Sequence, residues 1–249
     1  MKLINLSPML NIDSKLKDTI ESVANDKLPI IEFFKTLEGE GLNIGKPKIL
    51  VRVGGCLVGC SNCDTKYSWG LNHASMYHLT DLASKLLEFN DNWCSEYALT
   101  GGEPLHFSNQ ILSLIPLLKK QGMQVSMETS GLIDAPSIFK MLDFISFDIK
   151  TPSTGIELTQ KNIQFLNSVY DKYNCQIKAV VTDITDLIFL ETHFMPLLID
   201  KNFPLVITPA AGKFNSAPEI LLKTELIRNW NKQYNIRVIA QQHQLLSYA

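Results

Sequence analysis

The stretch ILVRVGGCLVGCSNC, residues 49–63, decides how this chain is read. It opens on a short apolar run, Ile49 to Val53, interrupted only by Arg52, and Gly54-Gly55 then breaks the strand pattern. Cys56, Cys60 and Cys63 follow on one loop in CxxxCxxC spacing. Three thiolates on a short loop can ligate three irons of a cuboidal four-iron cluster and leave the fourth iron without a protein ligand. An open iron is a place for chemistry, as in catalytic metal sites that keep one position free. Zinc sites pair two such clips or add histidines at matching spacing, and neither accompanies this loop. A disulfide framework belongs to short, secreted, cysteine-dense chains, and five cysteines in 249 residues are not that. Cys94 and Cys175 stand alone and read as small buried apolar residues.

On either side of this loop the composition is that of an ordinary globular protein, 45% apolar. Lys plus Arg 23 against Asp plus Glu 25 gives no basic footprint for nucleic acid. No apolar run approaches the ~20 residues of a membrane span. The N-terminus carries Asp13, Lys15, Lys17 and Asp18 where a secretory segment would be apolar, which points to a reduced cytoplasm. Residues 1–28 are polar, with one weakly periodic stretch from Leu16 to Val23, and read as a peripheral helical extension. Residues 29–249 contain no linker, low-complexity tract or repeat, and read as one domain.

Within that domain short β-branched runs alternate with helix-length amphipathic segments. The runs are 49–53, 97–99, 124–127, 144–148, 176–182, 204–208 and 236–240. Helices are expected over 79–88, 109–120, 136–142, 158–170, 187–198 and 218–232, the last with a Ser216/Glu219 capping box. Such alternation implies a parallel sheet with right-handed crossovers. About six βα units are fewer than the eight of a closed barrel. The expected fold is therefore α/β, an open partial (β/α) barrel. Its active site should lie at the carboxyl ends of the strands. There the sequence places Cys56 to Cys63, then Thr100-Gly101-Gly102-Glu103-Pro104, Glu128-Thr129-Ser130-Gly131, Asp148-Ile149-Lys150 and Thr208-Pro209-Ala210-Ala211.

The cysteine loop followed by a TGGEP motif resembles the radical S-adenosylmethionine superfamily. In that superfamily the methionine amino and carboxylate groups chelate the open iron, and an electron from the cluster cleaves the sulfonium to a 5′-deoxyadenosyl radical. Chelation makes the electron transfer effectively intramolecular. Gly101 and Gly102 would let backbone approach the methionine, and Glu103 would hold its ammonium by a charge-assisted hydrogen bond. A second layer narrows the likeness. Thr36-Leu37-Glu38-Gly39-Glu40-Gly41, Arg52, Cys63-Asp64-Thr65 and the terminal segment 242–249, QHQLLSYA, resemble the 7-carboxy-7-deazaguanine synthases. That resemblance, from about Ile30 to Ala249, implies ring contraction of 6-carboxy-5,6,7,8-tetrahydropterin to 7-carboxy-7-deazaguanine with loss of ammonia, in queuosine (7-deazapurine) biosynthesis.

It also implies roles. Cys56, Cys60 and Cys63 hold the 4Fe-4S cluster. Leu37, Glu38, Gly39, Glu40, Arg52, Thr100, His243 and the Ala249 carboxylate contact the pterin, with Arg52 and Glu40 acting in catalysis. Asn62, Cys63, Asp64, Gly101, Gly102, Glu103, Thr129, Asp148, Ile149, Lys150, Thr208, Pro209, Ala210 and Ala211 line the S-adenosylmethionine site. Thr65 contacts a Mg²⁺ shared with the substrate carboxylate. A flavodoxin- or ferredoxin-type reductant and a homodimer follow from the same likeness. Glu38 departs from the glutamine common at its position, and an ionised carboxylate accepts hydrogen bonds but donates none.

Without the family likeness the same residues read more plainly. Gly39 and Gly41 would be a turn, Glu38 and Glu40 solvated loop carboxylates, and Thr65 a loop threonine. Arg52 resists that reading, because a buried arginine needs a ligand carboxylate or a loop glutamate as partner. His73, His78, His106 and His193 show no ligand pattern, and Trp69, Trp93 and Trp230 read as core or rim packing. Two other functions use parts of the same pattern. A glycyl-radical activating enzyme shares the cysteine spacing but needs a groove for a polypeptide. An electron-transfer or scaffold protein would have no use for the polar strand ends.

Overall fold

The computed structural model describes residues 14–158, 160–198, 204–210, 229–230 and 232–246. Its strands are β1 (Lys27–Leu37), β2 (Pro47–Val53), β3 (Ser75–His78), β4 (Glu96–Gly101), β5 (Gln124–Thr129), β6 (Phe144–Ile149), β7 (Cys175–Val181), β8 (Leu205–Pro209) and β9 (Ile236–Val238). The helices are α1 (Ser14–Glu21), α2 (Leu79–Asn90), α3 (Ser108–Lys119), α4 (Pro136–Phe139), α5 (Gln160–Val169), α6 (Ile184–Phe189) and α7 (Gln242–Leu246).

All nine strands join one sheet in the order β3-β1-β2-β4-β5-β6-β7-β8-β9. From β2 to β9 every pairing is parallel, whereas β1 runs antiparallel to both β2 and β3. The outer strands β3 and β9 do not meet, so the barrel is open, as the count of βα units implied. The parallel strands fall on the seven expected runs. The antiparallel pair is an addition that the sequence reading did not contain. Residues 27–37, which straddle the expected boundary at 28 and carry no strand in the sequence reading, form the longest strand of the sheet. Over its described residues the extension is likewise tied down, since α1 buries Ile20 in the core.

Helical periodicity explains the outer layer. Helix α2 buries Leu79, Leu82, Ala83 and Leu86, and α3 buries Ile111, Leu114, Ile115 and Leu118, spacings that put one apolar stripe against the sheet. The strands meet these stripes with Ile49, Val51 and Val53 of β2 and Tyr97 and Leu99 of β4, all fully buried. Each such side chain contributes about 1.5–3 kcal/mol on burial. The alternate strand positions point the other way, into the mouth. The expected helix over 218–232 and its capping box lie almost wholly outside the described residues. Trp230 is an exception, helical and buried in the core.

Candidate active site

The period of two along each strand builds the site. On β2 the inward positions are Lys48, Leu50 and Arg52. In the parallel register Arg52 lies beside Thr100, and Asp148 beside Lys178. Glu128 and Lys150 complete this inward face, which encloses a cavity of about 410 Å³, within the range of small-molecule sites.

One end of the cavity is the cysteine loop. Cys56, Cys60 and Cys63 all border it, and none is in a disulfide. Neighbours clamp the loop from several sides: Gly55 and Cys56 donate backbone N–H bonds to the Ser68 and Trp69 carbonyls, and Ser61 N–H donates to the Thr154 carbonyl. Leu57 N–H donates to His106 Nε2 at 3.0 Å, so this histidine is held as an acceptor, and burial pushes its pKa down. Burial also raises the thiol pKa values of Cys56, to about 12, and of Cys60. Thiolates in such surroundings are costly unless a cationic group neutralises them. Three cysteines on one loop at the cavity wall fit a cuboidal cluster, which takes one thiolate per iron. Cys175 is buried in β7, as expected, whereas Cys94, in the loop before β4, is half-buried.

The opposite end is lined by charge pairs. Lys48 Nζ donates to Glu38 Oε2 at 2.5 Å and lies 3.5 Å from Glu128 Oε1. Lys178 donates to Glu40 Oε2 and lies 3.4 Å from Asp148, which is also 3.4 Å from Lys150. Burial disfavours Glu128's charge, but Lys48, Lys178 and the Thr100 hydroxyl outweigh it and lower its pKa to about 2. Glu38 shifts the opposite way, because burial there exceeds what Lys48 returns. Burial disfavours the Lys150 ammonium, yet Asp148 and Cys60 hold its pKa above the ordinary lysine value. Arg52 Nε donates to Glu32 Oε1 at 2.7 Å, and Tyr67 OH donates to the same oxygen. A glutamate is thus the protein partner Arg52 required, and its two terminal amino groups make no bond among the described residues.

The tail segment closes over this end. Gln242 N–H donates to the Gly39 carbonyl at 2.8 Å, and Gln241 Nε2 donates to Glu40 Oε1 at 2.6 Å. His243 lies so close to Gly39 that a Cβ there would sit 2.3 Å from His243 Nδ1, so only glycine fits. At the cluster end Gly102 has the same function, since a Cβ would stand 2.3 Å from the Gly55 carbonyl oxygen.

Of the pterin-contact residues read from sequence, Leu37, Glu38, Gly39, Glu40, Arg52, Thr100 and His243 all border the cavity, while Ala249 lies outside the described residues. Asn62, Cys63, Asp64, Thr65, Gly101, Gly102, Thr129, Asp148, Lys150 and Ala210 border it too. Several expectations need correcting. Ile149 and Pro209 are buried and lie beside Ala179 and Val181 on the outward parity, so their side chains do not face the cavity; Thr208 lies beside the cavity-lining Val180 and keeps the inward parity; Ala211 lies outside the described residues. Glu103, expected to hold an ammonium, is 1% exposed and already accepts from Leu105 N–H, Thr129 Oγ1, Ser130 N–H and Ser130 Oγ. Those donors occupy the roughly four acceptor sites of a carboxylate and tie Glu103 to the turn after β5, while Glu103 still borders the cavity. Lys48 and Lys178 were not read as site residues, and Glu128 was placed at a strand end without a role. Their signal was inward parity: a charged residue at the alternate positions of an apolar strand.

Comparison with known proteins agrees with this geometry. A 4Fe-4S single cluster domain family matches residues 37–146. The 7-carboxy-7-deazaguanine synthase of Escherichia coli K12 is 28% identical over 244 residues, 89% of this chain and 99% of that protein. The enzyme of the same name from Methanospirillum hungatei is 35% identical over 171 residues, 68% of this chain and 67% of that one. The crystal structure of QueE from Escherichia coli superposes with a TM-score of 0.62 at 25% identity, covering 87% of this chain and 99% of that one.

Proposed function

This chain belongs to the 7-carboxy-7-deazaguanine synthase family, and from that premise we propose how its cavity contracts 6-carboxy-5,6,7,8-tetrahydropterin to 7-carboxy-7-deazaguanine with release of ammonia. The enzyme is a radical S-adenosylmethionine lyase of queuosine biosynthesis. The observation that carries this reading is one cavity bordered both by the three-cysteine loop and by Arg52, the 38–40 loop and His243.

When bound, the 4Fe-4S cluster and S-adenosylmethionine supply one-electron reductive cleavage of a sulfonium bond. Cys56, Cys60 and Cys63 hold the cluster, and Asn62, Asp64, Gly101, Gly102, Thr129, Asp148, Lys150 and Ala210 border the S-adenosylmethionine. Arg52 offers its two terminal amino groups to the substrate carboxylate, with Nε fixed by Glu32. Glu38 and Glu40 accept from the pterin N–H edge. Lys48 and Lys178 balance the two carboxylates, so Glu38 acts there as an acceptor in place of an amide. His243 and the tail cover the ring and exclude water. Thr65, which borders the cavity, would offer its hydroxyl to a Mg²⁺, an ion that keeps few protein ligands and would supply positive charge beside the substrate carboxylate.

A single partial-barrel domain over 29–249, a flavodoxin- or ferredoxin-type reductant, a homodimer and a cytoplasmic location belong to the same proposal. Among the described residues no helix is long and apolar enough to cross a membrane. A polypeptide-docking activase is not favoured, because the tail narrows the mouth. The test is anaerobic: reconstituted protein with reductant, S-adenosylmethionine and 6-carboxytetrahydropterin, products read by mass spectrometry. Ring-contracted product and free ammonia are expected; an unchanged pterin overturns the proposal.

A further inference from the structure

One residue outside the cysteine loop closes it at both ends. The Trp69 carbonyl accepts from Cys56 N–H at 2.9 Å, and the Trp69 indole Nε1–H donates to Cys63 Sγ at 3.3 Å. Any residue could supply the first contact through its backbone. The second needs a side-chain donor, and indole nitrogen is a donor only. The Lys66 ammonium stands 5.7 Å from the centroid of the same ring, where it draws electron density from the indole and strengthens its N–H as a donor. Trp69 is half-buried at the cavity wall, so water competes weakly for that bond.

We infer that Trp69 is a positioning residue that sets the reduction potential of the cluster through its N–H bond to Cys63. The inference rests on the proposed reading of the three cysteines as cluster ligands. Its logic is electrostatic. The reduced cluster carries one more electron, and its sulfur ligands share that negative charge. A donor aimed at one sulfur therefore favours the reduced form and raises the potential. Hydrogen bonds to sulfur are among the factors that set cluster potentials. Packing alone would make no such distinction, since it does not depend on whether the ring carries an N–H.

The experiment is a redox titration of the anaerobically reconstituted full-length protein, followed by electron paramagnetic resonance of the reduced cluster, without substrate. Trp69→Phe keeps an aromatic ring and the backbone carbonyl and removes the N–H together with the pyrrole ring that carries it. With iron content unchanged, the ratio of reduced to oxidised cluster at a fixed potential should fall about tenfold, equivalent to about 59 mV for a one-electron couple. An unchanged or higher potential in Trp69→Phe overturns the inference while leaving the proposed function intact. If Trp69→Phe does not take up iron, Trp69→His, which retains a ring N–H, should load the cluster at close to the wild-type potential; failure of both to load assigns Trp69 to packing and overturns it. Wild-type protein that binds no four-iron cluster would overturn the functional reading as well.

Discussion

On the inner face of the sheet Lys48 of β2 and Lys178 of β7 flank Glu128 of β5 and Asp148 of β6, and each cation meets two carboxylates. Such buried pairs contribute little net stability, yet removing one partner is costly because the other charge is left behind. Glu128 shows the consequence for pH. Its pKa of about 2 lies below the ordinary carboxyl value of 4.5, so its ionised form stabilises the fold above that ordinary value and the contribution is lost as pH falls towards the lower one. Glu128→Gln should therefore show a shallower loss of thermal midpoint than wild type between about pH 5 and pH 3; equal slopes would show that the carboxylate is not held ionised. Arg52→Lys belongs to the same scale. Lysine cannot hold Glu32 through one nitrogen and a carboxylate through two others. Substrate binding measured by calorimetry should weaken by about 2–5 kcal/mol, with S-adenosylmethionine binding nearly unchanged; equal loss of both ligands would mark a structural arginine. Sequence alone picked out Arg52 because it interrupts an apolar strand. Lys48 is one alternate step from Leu50 on the same strand and was not picked out, since a lysine near a strand end reads as solvated until β1 covers it.

Among the elements, the parallel strands were legible because each is a compact β-branched run followed by a helix with an apolar stripe. Strand β1 was not. Its apolar stretch, Leu28 to Phe34, contains Pro29 and lacks clean alternation, and only a single 3-10 turn, Gly41–Asn43, separates it from β2. β3 has only four residues, half of them polar. Yet β1 delivers Glu32 to Arg52 and leads into the 38–40 loop, so part of the site depended on an element hidden from sequence. The tail is the opposite case, foreseen to return over the mouth and found with Gln242 bonded to Gly39. Chain ends normally tolerate additions; this one should not. Deleting residues 245–249, or adding a C-terminal tag, should cripple pterin turnover while iron content and slow uncoupled cleavage of S-adenosylmethionine persist. Gly39→Ala should act similarly, raising KM for the pterin by displacing His243, and an N-terminal tag should be harmless. A tagged protein that matches the untagged one in rate and substrate affinity would show that the terminus does not meet the substrate.

For the whole molecule, the open barrel matters because it sets two chemistries at the ends of one cavity: three cysteines that hold a cluster, and a charged pocket that orients a pterin. Neither end has a purpose without the other. Cys94→Ala and Cys175→Ala, both remote from the cavity, should retain activity, and loss of activity in either would show that the cluster has a further ligand. The most direct measurement runs wild type beside Cys60→Ala under anaerobic reduction, with iron content, S-adenosylmethionine cleavage and pterin product read from the same samples. Wild type should carry a four-iron cluster and yield 7-carboxy-7-deazaguanine, while Cys60→Ala yields neither cleavage nor product. Normal turnover by Cys60→Ala, or a wild type that cleaves S-adenosylmethionine yet leaves the pterin unchanged, would contradict the account.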